Sequence, residues 1–146
     1  MSSAGFQLIA GRIPGERVDT SILTSDSSGF TTTETTIQSV TGVPVVSGRT
    51  YRVRAHFAMQ STNAGDVATV RIRADNTSGA LVQSGTTGGL VTGSIGPRIT
   101  IEGEHVATTT ESKTFVLTGV RLSGSGTINR DASSSNPSYL YVDFIR

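Results

Sequence analysis

The two histidines, His56 and His105, are the side chains best suited to acid–base chemistry in a chain that has no cysteine. His56 lies in an alternating segment, where it shares one face with Arg52 and Arg54. A nucleophile triad also needs a serine and an aspartate, yet no G-x-S-x-G segment occurs and no aspartate stands at a recognisable spacing. We therefore expect His56 to be a surface side chain and not a general base.

The second histidine stands in the segment Glu102-Gly103-Glu104-His105, whose carboxylates and imidazole are all metal-binding groups. Successive residues of a strand point to opposite faces. Glu102 and Glu104 should therefore share one face while His105 points to the other. Because the three groups do not converge, the sequence predicts no metal site here.

Glycoside hydrolysis requires a pair of carboxylates facing a cleft. The acidic residues considered for such a pair are scattered singly: Asp19, Asp26, Glu34, Asp66, Asp75, Glu102, Glu104, Glu111, Asp131 and Asp143. Asp143 shares a strand face with Tyr139 and Tyr141, and we expect it to point outward and pair with a neighbouring arginine or lysine. The glycine-rich residues 85–89 lack the lysine and the helix of a P-loop. The sequence predicts no catalytic residue, no cofactor and no enzyme activity.

Four arginines alternate along two successive segments that we expect to form one hairpin with a dry and a wet face. They are Arg52, Arg54, Arg71 and Arg73. If all four lie on the solvent-exposed side of this hairpin, they form a basic face that could bind a partner or an acidic polymer. The alternative is that they are ordinary solvated side chains of exposed strands. Net charge is only +1, so we expect no nucleic-acid partner. Aromatic content is 5%, which is too low to predict a sugar-stacking platform or a groove for single-stranded nucleic acid.

The elements that must position these residues are short strands. Glycine, serine and threonine are abundant, and no window shows the apolar spacing of a helix. The predicted strands are Ile22–Thr24, Thr32–Val40, Thr50–Met59, Val67–Ala74, Ala80–Gln83, Arg98–Val106, Lys113–Leu122, Thr127–Ala132 and Tyr139–Ile145. Eight to nine such strands predict an all-β antiparallel sandwich, either a jelly roll or an Ig-like sandwich.

The apolar positions of these strands supply a core for one domain. We expect it to contain Tyr51, Val53, Phe57, Val70, Ile72, Ile99, Ile101, Phe115, Leu117, Leu140, Val142 and Phe144. The sandwich should span residues 20–146 and include the C-terminal strand, because a terminal strand has to be paired to be ordered.

Residues 1–19 differ from the rest and predict an N-terminal arm that reaches a partner. Its candidate contact residues are Phe6, Leu8, Ile9, Arg12, Ile13 and Arg17. An edge strand and a disordered leader are the alternatives. The N-terminus lacks the charge and apolar run of a signal peptide, and no stretch approaches a membrane span, so we expect synthesis in a cytoplasm and no membrane partner.

Four segments carry a resemblance to a known family: AGRIPGERVDTSIL, TTTETTIQSVTGVPVVSGRTYRVRAHFAMQS, GDVATVRIRADNTSG and KTFVLTGVRLSGSGTINRDASSSNPSYLYVDFIR. Over nearly its whole length the chain resembles the small β-sandwich virion proteins of tailed phages of actinobacteria, usually described as capsid-decoration, head-fibre or minor tail proteins. The shared pattern is a Gly/Arg arm, a Thr-rich strand, the strands V.SGRTYRV and GD...VRIR.D, and a C-terminal NPSYLYV..I strand. It is a pattern of strands and turns, and it contains no catalytic residue.

This resemblance implies a virion structural protein, typically trimeric, that is made in the host cytoplasm and released at lysis. The first hypothesis is a capsid-surface decoration protein, whose arm anchors on the shell of major capsid protein. The second is a minor tail or fibre-tip protein that binds a host surface glycan through residues 85–96 and 133–138. A third, a polysaccharide depolymerase, lacks its acid pair and its triad.

Overall fold

Two antiparallel sheets facing each other make up the part of the protein that the computed structural model describes, residues 13–93 and 96–146. The strands are β1 (Arg17–Leu23), β2 (Thr35–Val45), β3 (Thr50–Ser61), β4 (Val67–Ala74), β5 (Leu81–Thr86), β6 (Arg98–Val106), β7 (Glu111–Ser123), β8 (Ile128–Asp131) and β9 (Ser138–Phe144). Within these residues there is no helix that could cross a membrane. The all-β prediction is confirmed.

The order of the strands identifies the sandwich as a jelly roll. Sheet I runs β1-β9-β3-β6, with β8 paired to the end of β3, and sheet II runs β2-β7-β4-β5. The chain crosses between the sheets at most connections, which interleaves early and late strands in both sheets, as in two Greek keys. β9 pairs with β1 on one side and β3 on the other, so the last strand is a central one.

Alternating apolar residues supply the interior of the sandwich. Tyr51, Val53 and Phe57 of β3 are fully buried, and Val70 and Ile72 of β4 face them from sheet II. This inward alternation was predicted and is confirmed. Burial of alternate apolar side chains from both inner faces is what holds two sheets together.

Ten of the twelve predicted core residues are buried, and the other two, Ile99 and Ile101, are only partly buried. Both lie on β6, which is an edge strand of sheet I and pairs with β3 alone. An edge strand has neighbours on one side only, so part of its inner face stays open to solvent.

The predicted hairpin of β3 with β4 is wrong. β3 pairs with β6, β8 and β9, whereas β4 pairs with β5 and β7, so the two strands belong to different sheets. Asp66 holds this crossing connection in place: its buried carboxylate accepts hydrogen bonds from the Ser61 hydroxyl (2.6 Å) and from the backbone N–H groups of Ser125 (3.1 Å) and Gly126 (2.9 Å). These bonds tie the connection to the β7–β8 turn.

The predicted boundary between arm and sandwich, after residue 19, cuts through β1. Arg17 already faces Asp143 in the sheet. The contact begins still earlier, because Gly15 donates its N–H to the Phe144 carbonyl (2.7 Å) and Phe144 donates to the Glu16 carbonyl (2.8 Å). Residues 15–19 are therefore part of the sandwich, and residues 17–19 belong to an edge strand, which was the alternative expected for this segment.

Phe30 closes one end of the core from the β1–β2 connection. It is 3% exposed and exchanges two backbone hydrogen bonds with Ile128, at 2.8 and 3.0 Å. Its ring lies directly on the backbone of Gly119, where an added Cβ would come within 2.5 Å of it. A glycine in the middle of β7 is needed for this close approach.

Candidate functional site

Only part of the predicted arm falls within the described residues. Phe6, Leu8, Ile9 and Arg12 lie outside them. Ile13 is 73% exposed.

Arg17, predicted as an arm residue, is a member of sheet I. Its guanidinium pairs with the Asp143 carboxylate, lies 4.0 Å from the centroid of the Tyr141 ring, and donates to the Thr20 hydroxyl (3.2 Å). The outward, paired position expected for Asp143 is confirmed. Arg17 therefore helps to order the outer face of sheet I.

The four arginines of the predicted basic face lie on two different sheets. Arg52 and Arg54 are on the outer face of β3 in sheet I, and Arg71 and Arg73 are on the outer face of β4 in sheet II. Because the predicted β3–β4 hairpin does not exist, these residues do not form a single basic face.

On sheet II, Glu34 neutralises much of the positive charge of Arg71 and Arg73. Its carboxylate accepts from Arg71 Nη1 (2.7 Å), from Arg73 Nε (2.7 Å) and Nη2 (3.2 Å), and from the Thr118 hydroxyl (2.6 Å). Burial acts to raise the pKa of Glu34, but these hydrogen bonds and the two guanidinium charges outweigh it, so the net effect lowers the pKa.

On sheet I, the outer-face cations are interspersed with acids. Arg54 pairs with Glu102 on β6 (2.6 Å). Arg52 stands between Asp143 and Glu104 in the register of the strands, and it makes no ion pair or hydrogen bond of its side chain within the described residues. This face has a mixed charge and not a basic one.

The histidines lie on opposite sides of sheet I. His56 is on the outer face with Nδ1 2.7 Å from the Thr100 hydroxyl, and burial together with the charges of Arg98 and Arg54 lowers its pKa. His105 faces inward with its ring edge-on to Phe115 (5.2 Å between centroids), away from Glu102 and Glu104. Among the described residues no group of three or more His, Asp or Glu side chains could hold a metal ion.

Two acids that appear isolated in the sequence, Asp26 and Asp131, are neighbours in the structure. Burial and the proximity of Asp26 raise the pKa of Asp131. The buried guanidinium of Arg130 lies beside both acids and donates through Nε to the Ile37 carbonyl (3.2 Å). Neither acid lines the cavity described next.

A polar cavity of about 350 Å³ opens on the outer side of sheet I, where β3 and β8 pair. Its lining residues are Gln60, Ser61, Thr62, Thr92, Gly93 and Asn129. Five of these six residues carry an amide or hydroxyl side chain, and none of the six is charged.

The most distinctive arrangement on the outer face of sheet I is a pair of tyrosines on β9. Tyr139 and Tyr141 have ring centroids 5.9 Å apart and planes inclined at 48°. The strand register places them in two adjacent rows across the sheet, Ile22–Tyr139–His56–Thr100 and Thr20–Tyr141–Arg54–Glu102. We call these eight residues the tyrosine face.

Sequence reasoning placed Tyr139 and Tyr141 on one strand face but did not predict the tyrosine face as a site, because the low aromatic content argued against a sugar-stacking platform. The signal available to it was the alternation Tyr139-Leu140-Tyr141, which puts both rings on one side of a strand. The flanking residues come from β1, β3 and β6, and only the strand order brings them together.

No family model and no curated protein matches the sequence. Solved structures that are similar include Eiger TNF from S. frugiperda, with 8% identity, a TM-score of 0.48, and coverage of 92% of this chain and 94% of that chain. The CBM22-1 xylan-binding domain from Paenibacillus barcinonensis Xyn10C has 9% identity, a TM-score of 0.47, and coverage of 93% and 99%.

A structure of infectious bursal disease virus, Gt strain, matches at 13% identity with a TM-score of 0.47. This match covers 90% of the present chain but only 39% of the viral one. The chain likewise spans 58% of the length of a matching chain described under "CBM4 structure and function". Likeness at these levels concerns the fold alone.

Proposed function

We propose that this protein is a virion structural protein of a tailed phage, and specifically a capsid-surface decoration protein that attaches to the shell of major capsid protein. The proposal is carried by the sequence resemblance, which extends over nearly the whole chain. The jelly roll is compatible with it because this fold recurs in viral capsid and lectin domains, although a fold does not by itself define a function. The proposed role is non-enzymatic.

One end of the sandwich is suited to face the shell. Gly15 is hydrogen-bonded to Phe144, which lies opposite Tyr51 in the neighbouring strand. On the other side of Tyr51 lies His105, and the exposed Val106 follows it in β6. The point where residues 1–12 join the described chain and the end of β6 therefore lie on the same rim of sheet I.

An exposed leucine of sheet II lies at the same end. Leu81 is opposite Arg73, near the end of β4, and the next residue, Val82, packs against Gly103 of β6. We call the three exposed residues at this end the apolar rim: Ile13 (73% exposed), Leu81 (54%) and Val106 (58%). Exposed apolar residues are typical of contact surfaces between proteins. The other three exposed large apolar residues among those described, Ile22, Val91 and Leu122, lie toward the opposite end of the sandwich.

In the proposed mechanism the protein stabilises the shell by burying area across junctions between capsid subunits. Because it binds only the assembled shell, it shifts the equilibrium toward assembly by mass action. We propose that it acts as a homotrimer, as the resemblance implies, and association would also cover edge strands such as β1 and β6. It would be made in the host cytoplasm and reach the particle before lysis.

Attachment can be tested with particles purified from a phage that lacks the gene. The full-length chain, a variant lacking residues 1–12 and the variant Val106→Ser are each incubated with these particles and sedimented. We expect the deletion to abolish co-sedimentation and Val106→Ser to weaken it, while Leu122→Ser, at an exposed position at the other end of β7 (62% exposed), leaves it unchanged. Circular dichroism checks that each variant stays folded. Full binding by the folded deletion variant would rule out the arm.

The second candidate function is that of a minor tail or fibre-tip protein that binds a host surface glycan. The tyrosine pair is the observation that favours it, because aromatic rings beside polar groups are a common basis for sugar recognition. Gold-labelled antibodies against the protein distinguish the two candidates, since label on heads supports decoration and label on tail tips supports the second function.

A further inference from the structure

We propose that the tyrosine face is a binding site for a neutral oligosaccharide, with Tyr139 and Tyr141 as its stacking platform. This inference rests on the glycan-binding candidate function, but it places the site on the outer face of sheet I and not on the loops at residues 85–96 and 133–138. It holds wherever the protein sits on the particle.

The two rings are held in place before any ligand arrives. Both stand on β9, which is paired on both sides, so their backbone is fixed by two ladders of hydrogen bonds. The guanidinium of Arg17 lies over one face of the Tyr141 ring, 4.0 Å from its centroid, so it restrains this ring and leaves only the other face for a ligand. A preorganised aromatic surface loses little conformational entropy on binding, which favours affinity.

Hydrogen-bonding groups without protein partners surround the rings. The hydroxyls of Tyr139 and Tyr141 and the Nε2 atom of His56 make no hydrogen bond within the described residues, whereas His56 Nδ1 is engaged by Thr100. In the row that contains Tyr141, the ion pair of Arg54 with Glu102 adds a hydrogen-bond donor and an acceptor in fixed positions. Sugar hydroxyls both donate and accept, and they match such a mixed set.

The charge of this surface favours a neutral ligand over an anionic one. The tyrosine face and the rows on either side of it carry four cations, Arg17, Arg52, Arg54 and Arg98, and three anions, Asp143, Glu102 and Glu104. Six of these charges alternate from strand to strand, and Arg98 donates to the Asn136 amide oxygen and the Pro137 carbonyl. A polyanion would meet three carboxylates among these guanidinium groups.

The surface is large enough for several sugar rings. Four strands side by side span about 14 Å, and three rows of outward residues span a similar length along the strands. Ile22, 55% exposed at the edge next to Tyr139, extends the apolar platform beyond the rings. An oligosaccharide could cross the strands and contact both tyrosines at once.

Tyrosine fluorescence gives a direct readout, because the chain has no tryptophan and only three tyrosines, of which Tyr51 is buried. The full-length protein is titrated with β-1,4-linked hexasaccharides of glucose, xylose, mannose and N-acetylglucosamine, and with the anionic hexamer of galacturonate. We expect saturable changes with at least one neutral hexamer and none with galacturonate. Calorimetry with the same sugars confirms the affinity of each variant.

Variants locate the site. Tyr139→Ala should weaken binding about tenfold or more, Tyr139→Phe should weaken it less because the ring remains, and His56→Ala should weaken it while leaving the rings in place. Leu122→Ala, on sheet II, is the control and should bind as the parent protein does. Thermal unfolding checks that each variant is folded.

The proposal is overturned if no neutral hexamer binds, if galacturonate binds better than every neutral sugar, or if folded Tyr139→Ala and His56→Ala both bind unchanged. Particle attachment is measured separately by sedimentation, so failure of the sugar site leaves the decoration role standing and the converse also holds.

Discussion

The substitution Glu34→Gln should destabilise the protein by about 2–3 kcal/mol, because it removes the anion shared by Arg71, Arg73 and Thr118. The carboxylate accepts four hydrogen bonds from these residues. A glutamine keeps one oxygen, so about half of the bonds are lost and the rest lose their charge assistance. Each charge-assisted bond contributes about 1.5–3 kcal/mol, but partial exposure of Glu34 (20%) and Arg71 (27%) reduces the total.

Thermal unfolding followed by circular dichroism measures the effect. A chain of 146 residues unfolds with an entropy of about 0.3 kcal/mol per kelvin, so the expected fall in Tm is about 6–10 °C. Glu104→Gln is the matched control. Its pair with Arg146 is 3.5 Å long with side chains 45% and 70% exposed, and it should cost under about 0.5 kcal/mol, or less than about 2 °C.

The direction of the pKa shift of Glu34 fixes how the Tm difference between the parent protein and Glu34→Gln changes with pH. The pKa of Glu34 is lowered in the folded protein, so the carboxylate stabilises the fold fully above its ordinary pKa. That contribution is lost as the pH falls through the lowered value. The gap in Tm between parent and Glu34→Gln should be constant near neutrality and shrink below about pH 4. Equal Tm values for Glu34→Gln and Glu104→Gln at pH 7, or a gap that widens on acidification, would refute the account of this cluster.

Three further outcomes are expected. Gly119→Ala should lower the free energy of unfolding by about 1–3 kcal/mol, because the added methyl group would meet the Phe30 ring. The double variant that also carries Phe30→Leu should lose less stability than the two single variants added together. Strictly additive losses in denaturant unfolding would contradict this contact. Asp66→Asn should lower the Tm more than Asp75→Asn at pH 7. Since the hydrogen bond from Ser61 lowers the pKa of Asp66, its stabilising effect should fade on acidification, and a difference that persists unchanged at pH 2 would be inconsistent with this. Analytical ultracentrifugation should give a trimer, and a monomer at all concentrations would exclude the proposed association.

The strands of this protein could be predicted because their signal is local. Alternation along residues 50–59 and 67–74 identified both strands and the buried side of each. The same alternation says nothing about which strands pair. The turn between β3 and β4 is compatible with a hairpin and with a crossing between sheets, and the two are distinguished only by the distant strands with which β3 and β4 pair. Asp66 then ties the crossing to Ser125 and Gly126, about sixty positions further on.

The candidate site was harder to predict for the same reason. The tyrosines are neighbours in the sequence, but Ile22 and His56 join them only because β9 inserts between β1 and β3. The prediction of a single basic face was wrong because it depended on a pairing of β3 with β4, which does not form. Glu34, in the connection before β2, carried no sequence signal of its bonds to β4.

A mass-spectrometric inventory of purified phage particles tests the central claim most directly, comparing particles from the intact phage with those from a phage lacking this gene. The account predicts peptides of this protein in the intact particles in a fixed, many-copy ratio to the major capsid protein, and their loss from the deletion particles. Absence of the protein from purified particles, with the protein found only in the soluble lysate, would contradict it.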